Sequence, residues 1–170
     1  MRRPAAALLC FLTATGLALA AVAVSAPLLP RVVPTHFGPG GVADDWSTRT
    51  SAVAFLAAVS VGLAALFALL AWATPRMPWE WINLPGKERW AELGREDEVR
   101  RRLRTDLLWL GAATALLDVA LTCSIVEAAR GGTGQLPTWF YLAFVTWLVG
   151  IAGYTAFMGL VRYRAPASEV

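Results

Sequence analysis

Residues 51–73 read SAVAFLAAVSVGLAALFALLAWA, with no charged side chain and no proline. That run exceeds the ~20 residues a helix needs to cross ~30 Å of hydrocarbon. It also lacks the polar stripe that a surface helix of a soluble bundle presents to water. The segment therefore reads as a membrane span, and the rest of the 170-residue chain is organised around it.

Three further stretches have the same character. Residues 5–28 and 139–161 carry no charge, and residues 106–128 are interrupted only by Asp106 at the edge, Asp118 and Glu127. The expected architecture is all-α: a four-helix transmembrane bundle forming a single membrane domain over 1–170. An outer loop spans 29–50 and an inner loop 74–105. The first stretch also has features of a signal peptide, with Arg2 and Arg3 before it and Val24-Ser25-Ala26 at its end. Its apolar run is longer than the 7–15 residues of a signal h-region, which favours an uncleaved helix.

Composition supports this reading. The chain is 57% hydrophobic and only 16% charged, against about 25% in ordinary soluble domains. Disordered chains are polar and charge-rich, so disorder is excluded. The net charge of +3 is no nucleic-acid signal, because its placement explains it. Twelve basic residues fall on one side: Arg2, Arg3, eight from Arg76 to Arg104, Arg162 and Arg164. Only Arg31, Arg49 and Arg130 fall on the other. The positive-inside rule then puts both termini in the cytoplasm. Cys10 and Cys123 lie at different depths and read as small apolar packing residues.

The 29–50 loop, LPRVVPTHFGPGGVADDWSTRT, holds three prolines and three glycines. Such a chain reads as a fixed series of turns. It gathers the only histidine, His36, with Asp44, Asp45, Trp46 and Arg49, a set expected to bind a ligand. His36 with an aspartate could ligate a metal, but one histidine and two adjacent acids are a thin set, and no metal or cofactor is expected. Hydrogen bonds from His36 and Asp44 to loop amides are the preferred account. A pH-sensing role rests on residue type alone.

This loop resembles the signature of a bacterial membrane family, the domain of unknown function 1648, found at the N-terminus of SdpI-type immunity proteins. The matching positions are Leu29, Pro30, Val33, Pro34, Thr35, His36, Phe37, Gly41, Asp44, Trp46, Ser47, Thr48 and Arg49. Gly38 departs, since the family often has Asn or Asp there. A second stretch, from Asn83 through Pro85 and Lys87 to Trp90, is similar to the family's segment after its second span. The resemblance implies a polytopic bacterial inner-membrane protein, and it implies no known reaction.

Asp118 lies roughly 18 Å into the third span, near mid-membrane. Ionisable groups at that depth are costly and functional by default. Thr114, Asp118 and Thr122 share one helix face, and Gly111 and Ala115 allow a neighbour to approach closely. Two readings stand: a proton or ion site, or a protonated carboxyl bonded to Thr15, Ser60, Thr146 or a backbone carbonyl. Glu127 is expected to pair with Arg130. Residues 87–104 read as a helix running into span three, with pairs Glu96–Arg100, Asp97–Arg101 and Glu98–Arg102. Trp90, Leu93 and Leu103 are expected on the lipid surface. Small residues at Ala54, Ala58 and Gly62 suggest tight packing.

These features predict a non-enzymatic accessory, signalling or immunity-type protein with an outward ligand-sensing loop. The alternatives are a small oligomeric transporter or proton-coupled permease using Asp118, and an envelope enzyme with a metal at His36. Candidate partners are the lipid bilayer, an envelope peptide or toxin, a cytosolic protein at the basic inner loop and further copies of the chain. Nucleic acid is not among them.

Overall fold

The computed structural model describes residues 2–164, with side chains from Pro4 onward. Arg2 and Arg3, part of the basic tally, have side chains outside that description. The long helices are α1 (Arg2–Ser25), α2 (Arg49–Ala73), α4 (Glu96–Arg130) and α5 (Thr138–Phe157), the last extended by a π-turn at Met158–Arg162. All four are long and apolar enough to cross a membrane. A short α3 (Lys87–Glu92) lies in the loop before α4.

One element departs from an all-α fold. The 29–50 loop contains an antiparallel hairpin of β1 (Val32–Phe37) and β2 (Ala43–Thr48), not a series of turns. Gly40 and Gly41 take positive φ in its turn, where β-carbons are disfavoured, and this lets the chain reverse.

The helix α4 is the hub. Its 35 residues run about 52 Å, longer than the hydrocarbon layer, so its charged first turns extend past the apolar part. On α1, Ala7, Phe11, Ala14, Ala18 and Val22 are buried at three- and four-residue spacing, one helix face turned to α4. A β-carbon on Gly111 would sit 2.9 Å from the Phe11 ring and from Phe67 Cβ. The bareness of Gly111 thus lets α1 and α2 close on α4, as the small-residue reading expected. The bundle is less even than four equal helices: α5 has no buried residue and packs mainly on α4.

Below the basic end, Ile82, Trp90, Val99 and Tyr163 form a separate small core. Trp90 is therefore not on the lipid surface. It is buried and donates from Nε1 to the Tyr163 carbonyl at 3.1 Å. The helix expected over 87–104 breaks at Gly94, whose φ of 64° ends α3. Of the three expected ion pairs only Glu98–Arg102 forms. Arg100 instead reaches back to Asp97 at 2.9 Å, and Arg95 takes the other side of Glu98. Cys10 and Cys123 are free and face outward, so neither packs inside. Ala54, Ala58 and Gly62 also face outward, on the side of α2 away from its neighbours.

Polar contacts at both ends tie α5 to α4. Glu127 accepts from Trp139 Nε1 at 2.9 Å, where a pair with Arg130 was expected. At the other end, fully buried Asp106 accepts from Tyr154 Oη at 2.8 Å, Tyr163 Oη at 2.6 Å and Arg162 Nε at 2.7 Å. Removing one partner of a buried pair leaves the other uncompensated. Asp106→Ala should therefore destabilise the protein by ~3–5 kcal/mol, and Tyr154→Phe by only ~1 kcal/mol. Chemical unfolding in detergent micelles, followed by tryptophan fluorescence, measures both. Equal effects of the two variants would contradict this assignment.

Candidate functional site

The hairpin's base is apolar. Leu29 and Val33 are buried against Val22 of α1, Ala52 and Leu56 of α2 and Ile125 of α4. Arg49 closes the base, its backbone N–H bonding the Arg31 carbonyl at 3.0 Å and its Nε the Pro30 carbonyl at 3.3 Å. Arg49 is thus a clasp between the hairpin and the start of α2. Thr48 caps that helix, its Oγ1 accepting from Ser51 N at 3.2 Å.

Register along the strands is interrupted twice, between Pro34 and His36 and between His36 and Phe37. Pro34 has no amide hydrogen to give a ladder, which fits an irregularity beside it. The interruptions re-aim His36. Its Nδ1 lies 2.5 Å from Asp44 Oδ1, with both side chains well exposed. The other carboxylate oxygen of Asp44 sits over Gly38, where a β-carbon would be only 2.8 Å away. Gly38, the position departing from the family signature, therefore makes room for the Asp44 carboxylate.

The tip is held from a third side. Ala43 N donates to the Gly134 carbonyl at 2.7 Å, and Leu136 N to the Gly41 carbonyl at 2.9 Å. The segment between α4 and α5 thus pairs with the hairpin edge. Trp46 lies against Gly134, where a β-carbon would come within 2.9 Å of the indole, yet 45% of Trp46 remains exposed. Asp45 turns back to accept its neighbour's amide, Trp46 N, at 2.9 Å. Of the five predicted loop residues, the fold brings His36 and Asp44 together and leaves Trp46 partly displayed against Gly134. Asp45 and Arg49 hold backbone. Among the described residues no three His, Cys, Asp or Glu side chains cluster as a metal site would require.

The hydrogen bond to Asp44 raises the His36 pKa above its usual 6.5, with the charges of Asp44 and Asp45 adding to it. Any stability from this pair is complete below pH 6.5 and is lost as pH climbs through the raised value.

Asp118 is buried in the middle of the bundle. Ser60 Oγ on α2 donates to its Oδ2 at 2.5 Å, one of the partners expected. Asp118 Oδ1, Thr15 Oγ1 and Thr122 Oγ1 are buried without a hydrogen-bond partner among the described residues. Asp118, Ser60 and Thr15 line one cavity of about 10 Å³, close to the least space a water needs. Thr114 bonds its own helix at the Leu110 carbonyl and is not part of this group.

The second motif plays a different part. Asn83 and Pro85 are exposed, while Lys87 Nζ donates to the Glu80 carbonyl at 3.0 Å and sits over the Trp79 ring. Of this motif only Trp90 is buried in the small basic-end core, where Trp79 packs against it. Asp106 was missed by the sequence reading. Its signal was available, since Asp106, Arg162 and Tyr163 all stand where spans three and four end on the same side.

Residues 13–61 match the family described as "Domain of unknown function (DUF1648)". The chain carries a DUF1648 segment. That segment takes in the second half of α1, the whole hairpin and the first half of α2, so it includes His36, Asp44, Thr15 and Ser60. Asp118 and the second motif lie beyond it. No curated protein and no solved structure matches the chain.

Because the DUF1648 segment contains the chain's single histidine, its imidazole signals are unambiguous. In Asp44→Asn the hydrogen-bonding anion is gone, and the His36 pKa should fall back towards 6.5. Asp45→Asn should lower it far less, since Asp45 contributes only a weaker charge effect. An NMR pH titration of the three proteins decides this. An unmoved midpoint in Asp44→Asn would refute the pair.

Proposed function

We propose that this chain is a non-enzymatic, multi-pass protein of the bacterial inner membrane, with both termini cytoplasmic, whose hairpin senses or binds an envelope ligand. The observation that carries the reading is the hairpin itself. It is fastened at its base by the apolar cluster and by Arg49, and along its edge by residues 134–136. Yet it keeps His36, Asp44, Val42 and half of Trp46 open to solvent. Fastened backbone presenting a hydrogen-bonded histidine and carboxylate, an aliphatic side chain and an aromatic is well suited to recognising a peptide, because little order must be imposed on binding. A toxin peptide is the ligand the SdpI-type resemblance favours, which makes the role one of accessory, signalling or immunity type. The basic face opposite would meet a cytosolic partner.

The test is complementation. A strain lacking the gene is challenged with envelope-active peptides and supplied with wild-type protein or with His36→Ala/Asp44→Ala/Trp46→Ala. Protection should be lost in the variant while its amount in the membrane fraction is unchanged. The double variant retaining Trp46 guards against a folding defect and should lose most of the protection too. Full protection by either variant would sink the reading.

A second reading, a small oligomeric transporter or proton-coupled permease, draws on Asp118, whose unpartnered oxygen faces a cavity shared with Thr15. In proteoliposomes carrying an internal pH dye, Asp118→Asn should abolish any proton flux that the wild type supports. Flux that survives the substitution would count against it.

A further inference from the structure

A cleft of about 620 Å³ opens at the basic end, between the start of α4 and the last turn of the α5 arm. Its walls are unlike each other. Arg101, Arg102 and Arg162 line it with guanidinium groups, while Phe157 and Val161 supply an apolar side. We propose that this cleft seats an anionic phospholipid, its headgroup phosphate on the arginines and an acyl chain along Phe157 and Val161.

Charge is the first argument. Three cations line the cleft against one anion, Glu98, which Arg95 and Arg102 already share. Behind Arg162, fully buried Asp106 takes Nε at 2.7 Å. That bond fixes the guanidinium by its inner edge, and no second carboxylate meets its terminal nitrogens among the described residues. Arg102 is likewise oriented, donating from Nη1 to the Arg162 carbonyl at 2.7 Å. Arg101 has no acidic partner among the described residues. Held at Nε, the Arg162 guanidinium can offer its terminal nitrogens to a phosphate's paired oxygens, which suits it better than a mobile ammonium group, while Arg101 adds its own charge.

Depth is the second. Arg101 stands five residues, about 7.5 Å of helix, before Asp106, where the apolar part of α4 begins. That is the headgroup level of a bilayer, and basic clefts between spanning helices at this level are where anionic headgroups bind. Val161, beside the Arg162 that bonds Asp106, is 62% exposed, an apolar surface offered to a chain at the edge of the apolar part. Free phosphate would leave this apolar wall without an occupant, so the lining favours a lipid.

The experiment uses the purified full-length protein and native mass spectrometry from an equimolar mixture of phosphatidylglycerol and phosphatidylcholine. The wild type should retain phosphatidylglycerol preferentially. In Arg101→Gln the preference should fall about fivefold, the worth of one basic residue at an anionic surface. Arg101→Glu should abolish it. Arg101 holds no described carboxylate, so both variants should keep the wild-type helical circular dichroism. Arg31→Gln makes the same charge change beside the hairpin and should leave the preference intact. Equal retention of the two lipids, an unchanged preference in Arg101→Gln, or an equal drop in Arg31→Gln would overturn the proposal. Displacement of phosphatidylglycerol by excess inorganic phosphate would also overturn it, because the cleft would then be a site for the free ion.

Discussion

The absence of a side chain at Gly111 governs how closely this bundle can be built. Phe11 of α1 and Phe67 of α2 both lean on the space where its β-carbon would stand. Apolar helices in hydrocarbon gain little from leaving lipid, so close packing and internal polar contacts must hold them together. With α1 and α2 drawn onto α4 at this level, Ser60 on α2 comes within 2.5 Å of Asp118 on α4. The polar centre of the molecule is thus a consequence of a contact two turns away. A methyl group at position 111 would press on both phenylalanines and separate Ser60 from Asp118.

The fourth helix obeys a different rule. None of α5 is buried, so packing alone gives it little. It is pinned instead at its two ends, by Trp139 on Glu127 and by Tyr154, Arg162 and Tyr163 on Asp106. Three carboxylates at three heights on α4 therefore divide two tasks between them. Glu127 and Asp106 place α5, and Asp118 joins α2 while keeping one oxygen unpartnered. A buried carboxylate that serves only architecture has its lone pairs taken, as those of Asp106 are. By that measure Asp118 stands apart.

How much of this could be read beforehand follows from which signals are local. The four spans were legible because hydrocarbon thickness sets a length and demands an apolar composition, and both are written in consecutive residues. Gly111 was legible as a small residue beside a mid-membrane carboxylate, whereas Ser60 was one of several hydroxyls that could have met Asp118. The hairpin was not, since the prolines and glycines that mark its turn and its irregular register hide the strand alternation between them. Trp90 was misplaced for a related reason. A tryptophan near a helix end fits an interfacial belt equally well, and only the return of Tyr163 from the far end of the chain buries it. Asp106 depends on the same return. Groups brought together across more than fifty residues leave no spacing rule behind, and their shared height in the membrane is the only trace.

The His36–Asp44 pair can be weighed by asking what it contributes to the fold. Exposed ion pairs contribute little to stability. Both side chains here are more than half exposed. The structure nevertheless commits two register interruptions and the bare position of Gly38 to bringing them together. A regular hairpin would place alternate residues on opposite faces and pair its strands more completely, with a stronger ladder. The ladder contacts given up are not recovered from a solvated pair. What the irregularity does achieve is a histidine hydrogen-bonded to a carboxylate on backbone braced from three sides. Stability does not explain that arrangement, whose result is the display of both side chains at the hairpin surface.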